Sequence, residues 1–169
     1  SCGMPADEAF IEQTYDLARE ATTAGNYPFG ALVVVDGEVV RTSQNTVETD
    51  RDLTAHPELK LAKWAGSELS ASQRQNATLY ASTEPCPMCA GALYWSGISR
   101  IVFGVRGDAA GQTDLIPTLS CETVFESGAL DIEVVGPILE EEGLAVQRAF
   151  WEDEDRPDAT FVRDLLATE

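Results

Sequence analysis

The chain contains one histidine, in the sequence His56-Pro57-Glu58, and thirty residues downstream of it comes Pro85-Cys86-Pro87-Met88-Cys89. Imidazole nitrogen and thiolate sulfur are ligands that zinc favours. His56, Cys86 and Cys89 supply three such ligands and leave the fourth tetrahedral position for water. Two thiolates neutralise the ion's charge, yet the metal still acidifies that water from a pKa of 15.7 toward roughly 7. Glu58 stands next to the ligand set without being needed in it, so it is free to carry protons. The chemistry these residues suit is metal-assisted hydrolysis, with Zn2+ as cofactor and water as co-substrate.

Local structure must bring these side chains together. Proline is favoured at the first position of a helix, where its missing N–H costs nothing. That reading puts His56 at a helix cap, Pro57 first and Glu58 second. Inside a helix, residues two apart point in nearly opposite directions. A histidine at the cap escapes that constraint. Cys86 and Cys89 are three apart and share a face in a first helical turn, where the positive end of the helix dipole favours thiolate.

The rest of the chain reads as helices alternating with strands. Asp7 can cap a helix with Phe10, Thr14, Leu17 and Ala21 on one stripe, ending near Gly25. Ala31 to Val35 is an apolar run suited to a strand buried on both faces. Asp36-Gly37 signals a hairpin, and Glu38 to Ser43 returns as its partner. A helix is expected from Pro57 to about Gly66, a strand over Ala77–Ala81, and the cysteine helix from Pro87 to about Trp95. Strands over Arg100–Gly104 and Ile132–Val135 and a helix from about Leu139 to Trp151 complete the pattern. Such alternation implies a sheet between helical layers.

The stretch from Thr83 to Trp95, Thr-Glu-Pro-Cys-Pro-Met-Cys-Ala-Gly-Ala-Leu-Tyr-Trp, resembles the zinc-binding helix start of the cytidine and deoxycytidylate deaminase superfamily. H-x-E followed by P-C-x-x-C is a signature of zinc deaminases of nucleobases. The branch it most resembles holds guanine deaminases, with yeast-type cytosine deaminases and tRNA adenosine deaminases as near relatives. Pro28-Phe29-Gly30-Ala31 and Asn45 also fit, and the similarity runs from about Phe10 to Trp151. The resemblance implies a three-layer α/β/α sandwich around a five-stranded mixed sheet. It implies Glu58 as proton shuttle, Asn45 as an amide that contacts the base, and deamination of a free nucleobase or related amino-substituted heterocycle. Guanine, giving xanthine, is the first expectation, with cytosine, a nucleoside or an aminated triazine as alternatives. It also implies at least a homodimer.

Other candidates are weaker. Phe29 and Trp95 are aromatic faces that could stack on a base or serve as ordinary core. Asp108 and Asp114 follow the fourth strand, where guanine deaminases place an aspartate that reads the base. Pro57 departs from the family, whose small residue at this position can donate a backbone N–H that proline lacks. Residues 1–169 read as one domain, with about 152–169 as a lid or swapped tail; Phe150, Trp151 and Phe161 near the C-terminus are aromatic candidates for covering the pocket, although Phe150 and Trp151 suit pinning the last helix to the core better. Against catalysis stands a structural Cys3His zinc site with Cys121 as fourth ligand, or a redox Cys pair.

Charge bounds the partners. There are 29 acidic against 11 basic residues, a net of −18, and only Lys60 and Lys63 are lysines. That density of carboxylates suits a salt-rich cytoplasm or simply an acidic surface. A nucleic-acid partner is disfavoured, because its binders need a basic stripe to release counterions. No apolar run approaches the ~18 residues of a membrane span. The start of the chain shows no signal-peptide pattern, and C-x-x-C without secretory context points to a reducing, cytoplasmic compartment.

Overall fold

The computed structural model describes residues 3–110, 116–156 and 160–167. The sheet has five strands in the order β2-β1-β3-β4-β5: β1 Gly30–Val35, β2 Glu38–Gln44, β3 Ala77–Thr83, β4 Arg100–Val105 and β5 Glu133–Val135. β1 is antiparallel to both β2 and β3, while β3, β4 and β5 run parallel. The sheet is therefore mixed, as expected.

Strand alternation sorts the core into two layers. Ala31, Val33 and Val35 of β1 face a cluster with Leu61, Ala62 and Ala65 of α3 (Pro57–Glu68) and Ala90 and Leu93 of α5 (Pro87–Ser96). Leu32 and Val34 face the opposite cluster, which holds Ile11, Tyr15 and Ala18 of α1 (Pro5–Thr23) and Val146 of α8 (Glu140–Trp151). Every residue of β1 is buried, which is why its sequence shows no polar alternation. β2 is an exposed edge strand, and its polar Glu38, Arg41, Thr42 and Ser43 fit that position. The turn between them holds Asp36 and Gly37 at φ of 51° and 81°, the two positive values a two-residue hairpin needs.

Gly30 marks a close helix–sheet approach. A Cβ there would lie 2.5 Å from Leu17 Cβ and 2.6 Å from the Thr14 carbonyl oxygen, so only glycine lets α1 settle against β1.

The first helix begins earlier than Asp7. Pro5 takes its first position, Met4 is the cap, and Asp7 reaches back to accept the Met4 N–H at 2.7 Å. Asp7 is 1% exposed, because its carboxylate also receives Arg100 at 2.8 and 3.0 Å and the Tyr80 hydroxyl at 2.5 Å. The predicted stripe is rotated accordingly: Ile11, Tyr15 and Ala18 are buried beside Thr14 and Ala21, with Phe10 and Leu17 at its margins.

Short helices not anticipated from periodicity fill the connections: α2 (Val47–Asp50), α4 (Ala71–Gln75), α6 (Gly107–Ala110) and α7 (Cys121–Glu126). The C-terminal α9 (Thr160–Leu166) packs against α2. No helix among the described residues is long and apolar enough to cross a membrane.

Candidate metal centre and active site

Two helix starts meet where the parallel strands end. β3 delivers the chain through Glu84 and Pro85 to Cys86, the cap of α5, with Pro87 at its first position and Cys89 at its third. His56 caps α3 in extended conformation, with Pro57 first and Glu58 second. The two helices lie side by side in the same layer. This is the arrangement the prolines predicted: each turns its chain into a helix immediately after a ligand.

His56, Cys86 and Cys89 converge so that their ligand atoms all lie within 4.8 Å of one another. The imidazole Nδ1 faces both sulfurs, 3.4 Å from Cys89 and 3.7 Å from Cys86. A tetrahedral ion with its usual Zn–S and Zn–N bonds holds nitrogen and sulfur about 3.5 Å apart. The three residues therefore fit zinc without rearrangement. No other His, Cys, Asp or Glu among the described residues joins the group.

In the Cys86–Cys89 pair the thiolate is favoured on Cys86. Its pKa falls to about 4 because Cys89 shares a hydrogen bond with it and His56 adds another, against the opposing effect of burial. Cys89 is pushed up by that same shared bond and by burial. Burial works against a charged His56, but the bond to Cys86 and the nearby Glu58 carboxylate raise its pKa on balance. Glu58 is 5% exposed, and burial foremost lifts its pKa to about 7. It touches Cys89 but stands outside the ligand group.

Cys121 does not complete a Cys3His site. It is fully buried at the start of α7, outside the ligand group, where burial and the neighbouring Glu84 carboxylate raise its pKa. Glu84 was not singled out from the sequence. Its carboxylate accepts the Gly107 N–H at 3.0 Å and the Cys121 N–H at 3.2 Å, tying the loop before Cys86 to α6 and α7.

Asn45 is buried between β2 and α2. Its N–H donates to the Phe29 carbonyl at 3.0 Å, and its side-chain oxygen accepts the Val47 N–H at 3.1 Å. Among the described residues nothing engages its NH2 group. The next residue, Thr46, donates its N–H to Ala55, immediately before His56, so the Asn45 loop is stitched to the start of α3. Phe29 is half-buried in the Pro28-Phe29-Gly30 turn. Gln147 of α8 donates to the Pro28 carbonyl at 2.9 Å and accepts the Trp151 indole N–H at 2.8 Å.

The other candidates lie apart. Trp95 is 84% exposed, and six residues beyond Cys89 it sits roughly 9 Å further along α5. Asp108 is exposed on α6, and Asp114 falls outside the described residues. Phe150 and Trp151 pack around Tyr27, with ring centroids 6.1 Å from it. Phe161 lies under Arg51, and its N–H donates to Glu48 of α2 at 2.9 Å.

Comparison with known proteins agrees with this geometry. Residues 4–105 match the family model for the cytidine and deoxycytidylate deaminase zinc-binding region. The chain is 34% identical over 150 residues to the tRNA-specific adenosine deaminase of Bacillus subtilis, covering 89% of this chain and 91% of that one. It is 31% identical over 154 residues to a protein of Schizosaccharomyces pombe named probable cytosine deaminase, covering 86% and 93%. Identity rises to 44% with the guanine deaminase of Bacillus subtilis, over 106 residues that cover 62% of this chain and 68% of that one.

Proposed function

The chain belongs to the cytidine and deoxycytidylate deaminase family of zinc-dependent aminohydrolases, and on that premise we propose that it deaminates a small neutral nucleobase, guanine to xanthine. The observation that carries the catalytic part is the place of Glu58: buried, against Cys89, yet outside the three-ligand group. The zinc that His56, Cys86 and Cys89 would hold supplies Lewis acidity for activating a water.

Glu58 takes a proton from the attacking water as its oxygen bonds to the ring carbon that bears the amine. It gives that proton to the ring nitrogen, then takes the second one from the new hydroxyl and passes it to the amine, so that the C–N bond breaks, the carbonyl forms and ammonia leaves. A carboxyl whose pKa lies near neutrality can do both. Asn45 orients the base: its free NH2 donates to an acceptor on the ring edge, while its oxygen stays occupied by Val47. Phe29, whose carbonyl holds Asn45, is the nearest of the aromatic candidates in sequence and hydrogen bonding to that edge.

Guanine is supported by the 44% identity to a guanine deaminase over 106 residues. The stronger overall coverage by a tRNA-specific adenosine deaminase favours a second reading. Net charge argues against it, because −18 repels a polyanion. Against guanine stands Pro57, which offers no N–H at the first turn of α3, where the family resemblance implies a backbone donor to the base.

Ammonia release decides among these. The zinc-loaded protein is offered guanine, cytosine, adenine, guanosine, cytidine and an adenosine-containing anticodon stem-loop. Guanine is expected to be turned over fastest. Activity on cytosine alone replaces the substrate but keeps the mechanism, and preference for the stem-loop defeats the charge argument.

A further inference from the structure

Lys60 is one of two lysines among eleven basic residues, and it is half-buried at the start of α3, four residues after His56. Residues four apart share a helix face, and the Lys60 N–H donates to the His56 carbonyl at 3.0 Å. The Lys60 ammonium leaves its own helix. It donates to the Gln44 carbonyl at 2.7 Å and to the Thr46 hydroxyl at 3.0 Å. Those two residues flank Asn45. The Thr46 hydroxyl donates its own hydrogen bond to Asp50 at 2.6 Å, which leaves its oxygen lone pairs for the ammonium.

We propose that Lys60 is a positioning residue that fixes Asn45 at a set distance from the metal ligands and Glu58, and so determines how tightly the base edge is held. The proposal rests on the reading of Asn45 as a base contact. The geometry is specific to an ammonium. Three donors in tetrahedral directions reach a carbonyl on one side of Asn45 and a hydroxyl on the other, which an apolar side chain of equal length cannot do. The loop is also tied by main-chain bonds from Asn45 to Phe29, Thr46 to Ala55 and Asp50 to Thr46, and by the Val47 N–H to the Asn45 side-chain oxygen, none of which reaches the helix beyond His56. They set the path of the backbone. Lys60 bolts that path to the helix that carries His56 and Glu58.

Lys60→Met keeps the length and apolar stem while removing the donors. Two measurements on the zinc-loaded protein test the proposal. The first is hydrogen exchange, which needs no substrate: the amides of Asn45 and Thr46 should exchange at least roughly tenfold faster, with α5 amides and zinc content unchanged. Unchanged exchange at Asn45 and Thr46 overturns the proposal. The second is steady-state deamination of guanine. KM should rise roughly tenfold, the scale of one charged hydrogen bond, with kcat within about threefold. Lys60→Arg, which restores donors and charge, should recover most of the loss.

Asn45→Ser separates the two readings. It keeps an oxygen for the Val47 N–H and removes the NH2. If Asn45→Ser leaves KM unchanged, Asn45 is no base contact, and the role of Lys60 in holding substrate falls with it while exchange still reports the clamp. If Asn45→Ser raises KM, adding Lys60→Met should raise it little further. Fully multiplied effects would mean that Lys60 acts elsewhere, and would overturn the proposal alone.

Discussion

Asp7→Asn is expected to destabilise the protein severely although it changes one atom far from the metal ligands. The carboxylate is 1% exposed and accepts four hydrogen bonds: two from Arg100, one from the Tyr80 hydroxyl and one from the Met4 N–H. Together these join the first turn of α1 to β3 and β4. The asparagine keeps the shape but leaves the Arg100 guanidinium, itself 8% exposed, without its buried counter-ion. Removing one partner of such a pair costs about 3–5 kcal/mol. Glu133, 3.4 Å from the Arg100 Nε, offsets part of that, so the lower end, about 3 kcal/mol, is expected. For a chain of this size that lowers Tm by roughly 6–12 °C. The pH dependence has a definite sign. Despite burial, which acts to raise it, the bonds from Arg100, Met4 and Tyr80 lower the Asp7 pKa from the ordinary 3.8 to about 2. A depressed carboxylate contributes fully above its unfolded pKa and loses that contribution as pH falls through the folded one. About 2 kcal/mol of the gap between parent and variant should therefore vanish between about pH 4 and pH 2. Urea unfolding of both proteins across that range measures the gap directly. Acid effects common to both, including loss of zinc, cancel in the difference. A gap below about 1 kcal/mol at pH 7, or one that stays constant down to pH 2, would refute the reasoning.

Glu58→Gln should retain one zinc per chain and lose ~10²–10⁴-fold in kcat, the contribution of general acid–base catalysis; near-normal turnover would remove Glu58 from the mechanism. Cys121→Ser should keep its zinc and cost about 1 kcal/mol in stability, because the serine hydroxyl can still donate to Glu84; loss of metal in that variant would reinstate a fourth protein ligand. Assembly into a dimer should strengthen with salt, since the repulsion of two −18 chains is screened as the Debye length shrinks. Sedimentation from 0.05 to 1 M salt reads this, and a monomer throughout sinks it.

The ligand set was legible because covalent spacing carries it. Pro57 and Pro87 announce helix starts, and a cap residue's position follows from the helix alone. β1 was legible because six consecutive buried residues leave no room for a polar one. The short helices were not, since four to six residues cannot show a 3.6-residue period. Ser70 and Gln73 did form a readable capping box for α4, and that signal went unused. Asp7 was read as the cap of the first helix, but Met4 is the cap and Asp7 the third helical residue, and its partner Arg100 lies 93 residues away. Lys60 and Glu84 were beyond reach for a related reason. Both act on backbone groups, Gln44 C=O, Gly107 N–H and Cys121 N–H, and a backbone amide has no identity in sequence. The rarity of lysine was the one available hint.

Charge also separates the chemistry of the site from its reach. A zinc held by two thiolates and a neutral imidazole would carry no net charge, so the centre would add to the surrounding field only what Glu58 contributes. A neutral base enters that centre against no long-range repulsion, whatever the charge of the surface. On the proposed reading, an oligonucleotide would have to approach the whole field of a −18 chain before it reached the same site. The catalytic residues alone would serve either substrate equally well. On the proposed reading, discrimination lies in what surrounds them: the Asn45 loop for the shape of the ring edge, and the acidic surface for the size and charge of what carries it. Raising the salt concentration should leave turnover of a free base nearly unchanged while relieving the exclusion of a polyanion, which distinguishes a rejection set by the surface from one set by the pocket.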